Sequence, residues 1–413
     1  MIIPIKPVSG SPTSASELNP HVAQKFLQPG TLNLSALPPL SLYIHFPWCV
    51  KKCPYCDFNS HEARQGFPEA DYLDALRLDL ERALPAIWGR KIYTIFIGGG
   101  TPSLLSAAGL DRLLSDVRTL LPLDGAAEIT MEANPGTFEA EKFRAYRASG
   151  INRLSIGIQS FNSSHLSALG RIHNGDEARR AIEIAQTQFD NFNLDLMYAL
   201  PDQTLEQARN DVQTAIATGA PHLSLYHLTL EPNTLFAKYP PALPDDDLSS
   251  EMQDDITALM TAAGYQNYEI SAYAQAKRQA RHNLNYWQFG DYLGIGAGAH
   301  SKLSFPHRVV REMRHKNPKA YMQAVLEGRE IQESAEISRD DMGFEFMLNT
   351  LRLTEGFQVN LFAERTGLTL NTIELALHSV EQKGLIYRDH LVIRPTELGR
   401  RFLNDLQQAF LKS

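Results

Sequence analysis

The segment CVKKCPYCDF, from Cys49 to Phe58, holds all three cysteines of a 413-residue chain. The spacing of Cys49, Cys53 and Cys56, C-x3-C-x2-C, gathers three thiols in one short loop. A thiolate is a soft ligand, so such a loop points to a metal centre. Three cysteines are one ligand short of a closed four-cysteine site, and zinc would need a further donor such as His45 or His61. An iron–sulfur cluster on the same three thiolates would keep one iron open to an outside ligand. A purely structural role fits poorly with a loop this short and polar, with Pro54 inside it.

The elements that must position this loop follow a regular rhythm. SLYIHF, directly before the cysteines, predicts a buried strand, and DYLDALRLDLERAL puts Leu73, Leu76, Leu80 and Leu84 at helical spacing. IYTIFI then reads as a strand and AGLDRLLSDVRTLL as a helix. Further strands are predicted near 128–133, 153–157, 193–197 and 222–229, with helices near 139–149, 176–188 and 205–218. Six strands with a helix after each of the first five imply an α/β fold with a parallel sheet. Periodicity alone leaves a partial barrel and an open doubly wound sheet as alternatives. In either, chemistry sits at the carboxyl ends of the strands. Glu132, Gln159 and Asp195 fall at or near such ends, with Arg171 and the GGGTP turn at Gly98–Pro102 close by.

Composition narrows the classes. Hydrophobic residues make up 43% and charged residues 21%, ordinary values for a soluble globular protein. The sequence has no apolar run of membrane-spanning length and its N-terminus lacks a secretory core, so a cytoplasmic location is expected. A net charge of −8 gives no general reason to expect nucleic acid. Residues 1–38 are rich in Pro, Ser and Ala and read as a disordered extension. Residues 39–240 carry the βα rhythm, 241–335 form a flanking α/β region, and 336–413 read as a mostly helical, winged-helix-like domain.

YIHFPWCVKKCPYC resembles the signature of radical S-adenosylmethionine (SAM) enzymes. The resemblance implies a [4Fe-4S] cluster on Cys49, Cys53 and Cys56, whose open iron takes the amino and carboxylate groups of SAM. It also implies a partial (βα)6 TIM-like barrel. Tyr55 would lie beside the adenine. Gly99, Gly100 and Thr101 would approach the SAM amino group, and Arg171 would pair with its carboxylate. Gln159 and Asp195 would hold ribose hydroxyls, with Tyr43 and Glu132 also lining the SAM site. The motifs together resemble the coproporphyrinogen dehydrogenase branch over residues 40–405.

Within that branch, the oxidases carry a fourth cysteine two residues after the third, where this chain has Phe58. Phenylalanine can neither ligate metal nor transfer a proton. RHNLNYW supplies His282, Asn283, Tyr286 and Trp287, an H-N-x-x-Y-W pattern. With the missing cysteine, this is similar to the heme chaperones of the superfamily. The resemblance therefore implies heme as a ligand, His282 as a candidate iron ligand, and transfer to a heme-acceptor protein. His173, His300, His307 and His315 compete for the ligand role. The alternative is an oxygen-independent coproporphyrinogen III oxidase, which would use the same cluster and SAM to decarboxylate its substrate.

A charge run lies outside the family signature. From Lys277 to Lys319 there are nine Lys or Arg residues against Asp291 and Glu312. A solvated face is the usual reading of such a run; a cradle for heme propionates, with Arg308, Arg311 and Arg314 as contacts, is the sharper one. The C-terminal module from Ser338 balances ten acids against nine basic residues. Phosphate binding needs a basic footprint, so DNA is not expected there. The sequence is compatible with a homodimer and leaves the oligomeric state open.

Overall fold

Strand β1 (Leu40–Phe46) is buried along nearly its whole length, as a strand covered on both faces must be. The structure is a computed structural model that describes residues 32–64, 66–137 and 140–411. After β1 the chain alternates α1 (Glu69–Ala83), β2 (Ile92–Gly99), α2 (Ala107–Leu120), β3 (Leu123–Ala133) and α3 (Ala140–Ser149). It continues through β4 (Arg153–Gln159), α4 (Gly175–Gln188), β5 (Phe192–Tyr198), α5 (Leu205–Ala217) and β6 (His222–His227). Local sequence starts these helices. Ser106 accepts from the Gly109 N–H at α2, and Asn174 with Glu177 and Thr204 with Gln207 close capping boxes at α4 and α5.

Strands β1 to β6 pair in parallel in sequence order. Residues after β6 extend the sheet at both ends. α6 (Asp246–Ala262) leads to β7 (Gln266–Asn267) and β8 (Ala272–Ala274), and β8 pairs antiparallel with β6. α7 (Arg281–Trp287) is followed by β9 (Asp291–Ile295), which pairs parallel with β1 on the other side. Then β10 (His300–Phe305), β11 (Arg308–Arg314) and β12 (Ile331–Glu336) add an antiparallel edge. Among the described residues the result is one sheet of twelve strands whose two edge strands do not pair, a partial barrel. Residues 241–335 are thus continuous with the barrel sheet, contributing to both of its ends.

From Met342 the chain forms its own apolar core, built on Phe346, Phe362, Leu377 and Ile393. Three helices, Met342–Thr350, Val359–Thr366 and Glu374–Gln382, pack with a three-stranded antiparallel sheet, the winged-helix arrangement. The expectation of a disordered extension needs correction at its end. Residues 1–31 lie outside the described residues, but Leu32 and Leu34 are buried in this C-terminal core. Their N–H groups donate to the carbonyls of His307 (3.2 Å) and Pro306 (2.9 Å). Both leucines, which flank Asn33, reach that core and are tied down by these two backbone bonds.

Candidate functional site

Alternate residues of a strand face the same side, so register decides what the barrel interior contains. Ser41, Tyr43 and His45 of β1 stand level with Thr94, Phe96 and Gly98 of β2. Thr94 and Phe96 stand level with Glu128 and Thr130 of β3. Glu132 follows two residues on, level with Ser155 of β4. At the carboxyl ends the interior opens into a cavity of about 970 Å³. Cys56, Phe58 and Gly99 belong to its lining, as do His282, Tyr286 and Trp287.

The three cysteines leave β1 on a half-buried loop and form no disulfide. Trp48–Cys49 pairs with His61–Glu62 and closes the loop back on its own start. Burial pushes the Cys49 and Cys56 thiols up, and hydrogen bonding with Thr101 and Ser60 opposes that rise. Among the described residues no three His, Cys, Asp or Glu side chains close around a single metal ion. His45 is also committed elsewhere: Nδ1 meets the Tyr43 hydroxyl at 3.0 Å and Nε2 meets the Asn59 carbonyl at 2.9 Å. Three half-buried sulfurs without a protein fourth ligand suit a cluster, which spreads its thiolates over separate irons, better than mononuclear zinc. Arg171 Nη1 lies 3.7 Å from Cys53 Sγ, so a cation stands beside the place where thiolate charge would collect.

Gly99 and Gly100 have a packing role that their sequence did not reveal. A Cβ on Gly100 would stand 2.4 Å from the Trp48 carbonyl oxygen, and Gly100 N–H donates to the Phe46 carbonyl at 2.6 Å. Gly99 adopts φ +112°, and a Cβ there would meet the His45 ring at 2.4 Å. The two glycines let the end of β2 lie directly against the start of the cysteine loop. Thr101 is buried; its N–H donates to the Trp48 carbonyl at 2.7 Å and its hydroxyl accepts from Asn134.

His282 owes its position to α7. The first N–H groups of this helix, those of Arg281 and His282, donate to the Glu128 carboxylate at 3.1 Å each. His282 and Tyr286, four apart, then share one face, and both line the cavity. His282 Nδ1 lies 2.9 Å from the Thr94 hydroxyl, which itself donates to Ser41 at 2.7 Å. With its proton so used, Thr94 can only accept, so Nδ1 carries the hydrogen and Nε2 keeps a lone pair. No described residue bonds Nε2. Burial, reinforced by Arg153, pushes the pKa of His282 down to about 3, so the ring is neutral. Its ring centroid lies 5.2 Å from that of Phe96, and Phe96 stacks on Tyr43 at 6.2 Å. Of the competing histidines, His173 and His315 bond backbone carbonyls through Nε2, while His300 lines the cavity.

The residues expected around the cluster, SAM and heme divide into groups. Tyr43, Cys56, Gly99, Glu132 and His282 line the large cavity. Cys53, Thr101 and Arg171 meet at a separate crevice of about 30 Å³. Glu132 accepts from the Gly99 N–H at 3.0 Å, and burial followed by the charge of Asp195 pushes its pKa up to about 7. Asp195 is held by Ser155 at 2.9 Å and Asn193 at 2.8 Å. Gln159, the last residue of β4, sits half-buried at φ +67° after a register shift in the pairing with β5. Arg171 donates to the Gly157 carbonyl at 2.7 Å and to Asn134, which turns it towards Cys53. Tyr55 packs against Phe236, in a small cluster with Leu169, Leu200 and Leu228.

The basic run from Lys277 to Lys319 is not one surface. Arg314 is 2% exposed and paired with Asp79 and Glu312, and Lys302 is equally buried against Asp291 and under the Phe289 ring. Neither is available to a ligand. Arg308 lies away from the cavity lining, over the Phe305 ring, so of the three expected arginine contacts only Arg311 lines the cavity. Sequence reading missed Thr94, Phe96, Asn59 and Asn134. The period of two along β1 and β2 points Thr94 and Phe96 inward; no local signal marks Asn59 or Asn134.

The profile of the radical SAM superfamily matches residues 43–215, and that of the HemN C-terminal domain matches residues 337–402. With its partial barrel and three-cysteine loop, the chain belongs to the radical SAM superfamily, whose members carry a [4Fe-4S] cluster and bind SAM. Heme chaperone HemW of Escherichia coli (strain K12) is 49% identical over 377 residues, 91% of this chain and 99% of that protein. Heme chaperone HemW of Bacillus subtilis (strain 168) is 35% identical over 380 residues, covering 90% and 99%. Within the superfamily the chain belongs to the HemW family of heme chaperones. Coproporphyrinogen III oxidase (HemN) from Escherichia coli, a radical SAM enzyme, superposes with a TM-score of 0.78 at 25% identity, covering 91% of this chain and 90% of that one. No helix among the described residues is long and apolar enough to cross a membrane.

Proposed function

We propose that this chain binds heme in the barrel cavity, carries a [4Fe-4S] cluster on Cys49, Cys53 and Cys56 that takes SAM, and passes heme to an acceptor protein. The observation that carries the reading is His282: a neutral imidazole whose Nε2 lone pair is left for the cavity by the Thr94–Ser41 relay. Iron ligation requires that form of histidine. Phe96, Tyr286, Trp287 and Tyr292 give the cavity the apolar aromatic walls that a flat macrocycle needs. The cluster, when bound, supplies an open iron for the amino and carboxylate groups of SAM. Arg171 balances charge beside Cys53, and Glu132 presents a carboxyl group to the cavity.

The likeness to HemN favours a second reading, oxidative decarboxylation of coproporphyrinogen III. Phe58 opposes it. The residue lines the cavity and is 57% exposed, where the oxidases of the branch carry a cysteine. One experiment separates the two. The protein, reconstituted without oxygen, is assayed in parallel for heme binding and for coproporphyrinogen turnover with SAM and a reductant. Heme binding without turnover is expected. Protoporphyrinogen formed at enzyme-like rates would replace the first reading with the second.

A further inference from the structure

The cavity lining carries a set of cations that neither the cluster nor the His282 site uses. Lys52 belongs to the cysteine loop, Lys316 follows β11, Arg311 lies within β11, and all three line the cavity. Together they make a cationic ridge in a lining that also holds His61 and His300. Burial lowers the pKa of both rings, and the charges of Lys52 on His61 and of Lys316 and Arg311 on His300 act in the same direction. Asn59 ties the ridge to the loop by donating to the Lys316 carbonyl at 2.8 Å and the Ala297 carbonyl at 2.9 Å.

The ridge is under-compensated. Among the described residues no carboxylate pairs with Lys52 or Lys316. Lys52 Nζ donates to the carbonyls of Phe58 (3.1 Å) and Ser60 (3.4 Å), which leaves one of its three protons for a ligand. Arg311 pairs with Glu345 and reaches the Tyr292 hydroxyl, but its Nε–H has no partner. The carboxylates in the cavity lining are Asp57 and Glu132, and Glu132 is held partly neutral by its environment. The same lining carries the aromatic rings of Phe96, Tyr286, Trp287 and Tyr292. A ligand that satisfies both is a flat apolar plane with anionic groups along one edge.

We infer that Lys52, Lys316 and Arg311 bind the carboxylate edge of the macrocycle, and that this ridge makes the cavity select dicarboxylate porphyrins over their uncharged esters. The inference rests on the heme-binding reading and adds to it the ligand's orientation: plane against Phe96, Tyr286 and Trp287, propionates towards the cysteine loop. Because Lys52 lies between Cys49 and Cys53, the ligand edge then touches the cluster loop itself.

The test uses the full-length protein with its cluster, and compares iron protoporphyrin IX with its dimethyl ester under identical detergent and salt. The acid should bind on the order of tenfold more tightly at low ionic strength, as expected for charge-assisted contacts discounted for an exposed rim. The preference should shrink as salt is raised. In a Lys52→Gln/Lys316→Gln variant the preference should fall severalfold while ester affinity stays in place, which also reports an intact fold. Equal binding of acid and ester by the unaltered protein would overturn the inference, and so would an unchanged ratio in the double variant. His282→Ala should change the heme spectrum and keep the ratio. If that spectrum does not change, the assignment of the iron ligand fails while the ridge stands.

Discussion

His282 Nδ1 and the Thr94 hydroxyl stand 2.9 Å apart, although the two residues are 188 positions apart in sequence. The contact sets the tautomer, because Thr94 gives its own proton to Ser41. Thr94→Val keeps the shape and removes the acceptor. It should broaden or shift the heme absorption spectrum by freeing the ring, whereas His282→Ala should abolish the ligation signature. Since His282 titrates near 3, ligation should be constant from about pH 6 to 8, where a free histidine would lose affinity on the acid side. A spectrum insensitive to both substitutions would move the ligand role to His300.

Arg171 is expected to act on the cluster as well as on SAM. Arg171→Ala removes the cation 3.7 Å from Cys53 Sγ and leaves the carbonyl of Gly157 without its donor. SAM affinity should fall by on the order of 1.5–3 kcal/mol if the guanidinium also meets the SAM carboxylate. Iron and sulfide content after reconstitution reads the other effect: loading should drop, and loss under air should speed up. Unchanged affinity with lowered loading would restrict Arg171 to the cluster.

Glu132 gives a signed pH dependence. Its folded pKa is raised to about 7 by burial and by Asp195, against about 4.3 in an unfolded chain. The folded protein therefore holds an extra proton between those values, and the associated stability is lost as pH rises through about 7. Glu132→Gln keeps an acceptor for the Gly99 N–H and removes the titration. Measured by urea unfolding, the variant should gain on wild type between pH 5 and pH 8, by on the order of 2 kcal/mol. A gain that is flat or reversed with pH would contradict the assignment.

Gly100→Ala tests the contact between β2 and the cysteine loop. The added methyl meets the Trp48 carbonyl carbon and oxygen, which are backbone atoms that cannot rotate away. A destabilisation of about 1–3 kcal/mol is expected. Cluster loading should suffer more than overall stability, because the displaced segment runs directly into Cys49. Normal loading in a folded Gly100→Ala protein would mean that the loop tolerates the shift.

Much of this protein was legible along the chain. The C-x3-C-x2-C loop, the βα rhythm and the H-N-x-x-Y-W pattern are local, so residue type and spacing determine them without knowledge of distant partners. The partial barrel was legible only through the family resemblance, because right-handed βα units build an open doubly wound sheet as readily as a barrel. Tertiary structure decided what those residues do. Arg311 and Arg314 look alike in sequence, yet Arg314 is buried against Asp79, 235 positions away, and Arg311 lines the cavity. Leu32 and Leu34, inside a stretch of disordered composition, are fixed by the C-terminal core. The tautomer of His282 depends on Thr94 and Ser41, which only the pairing of β1 with β2 brings level. A charge or a hydrogen bond is settled by what stands within a few ångströms, and in a sheet of twelve strands those neighbours come from remote parts of the chain.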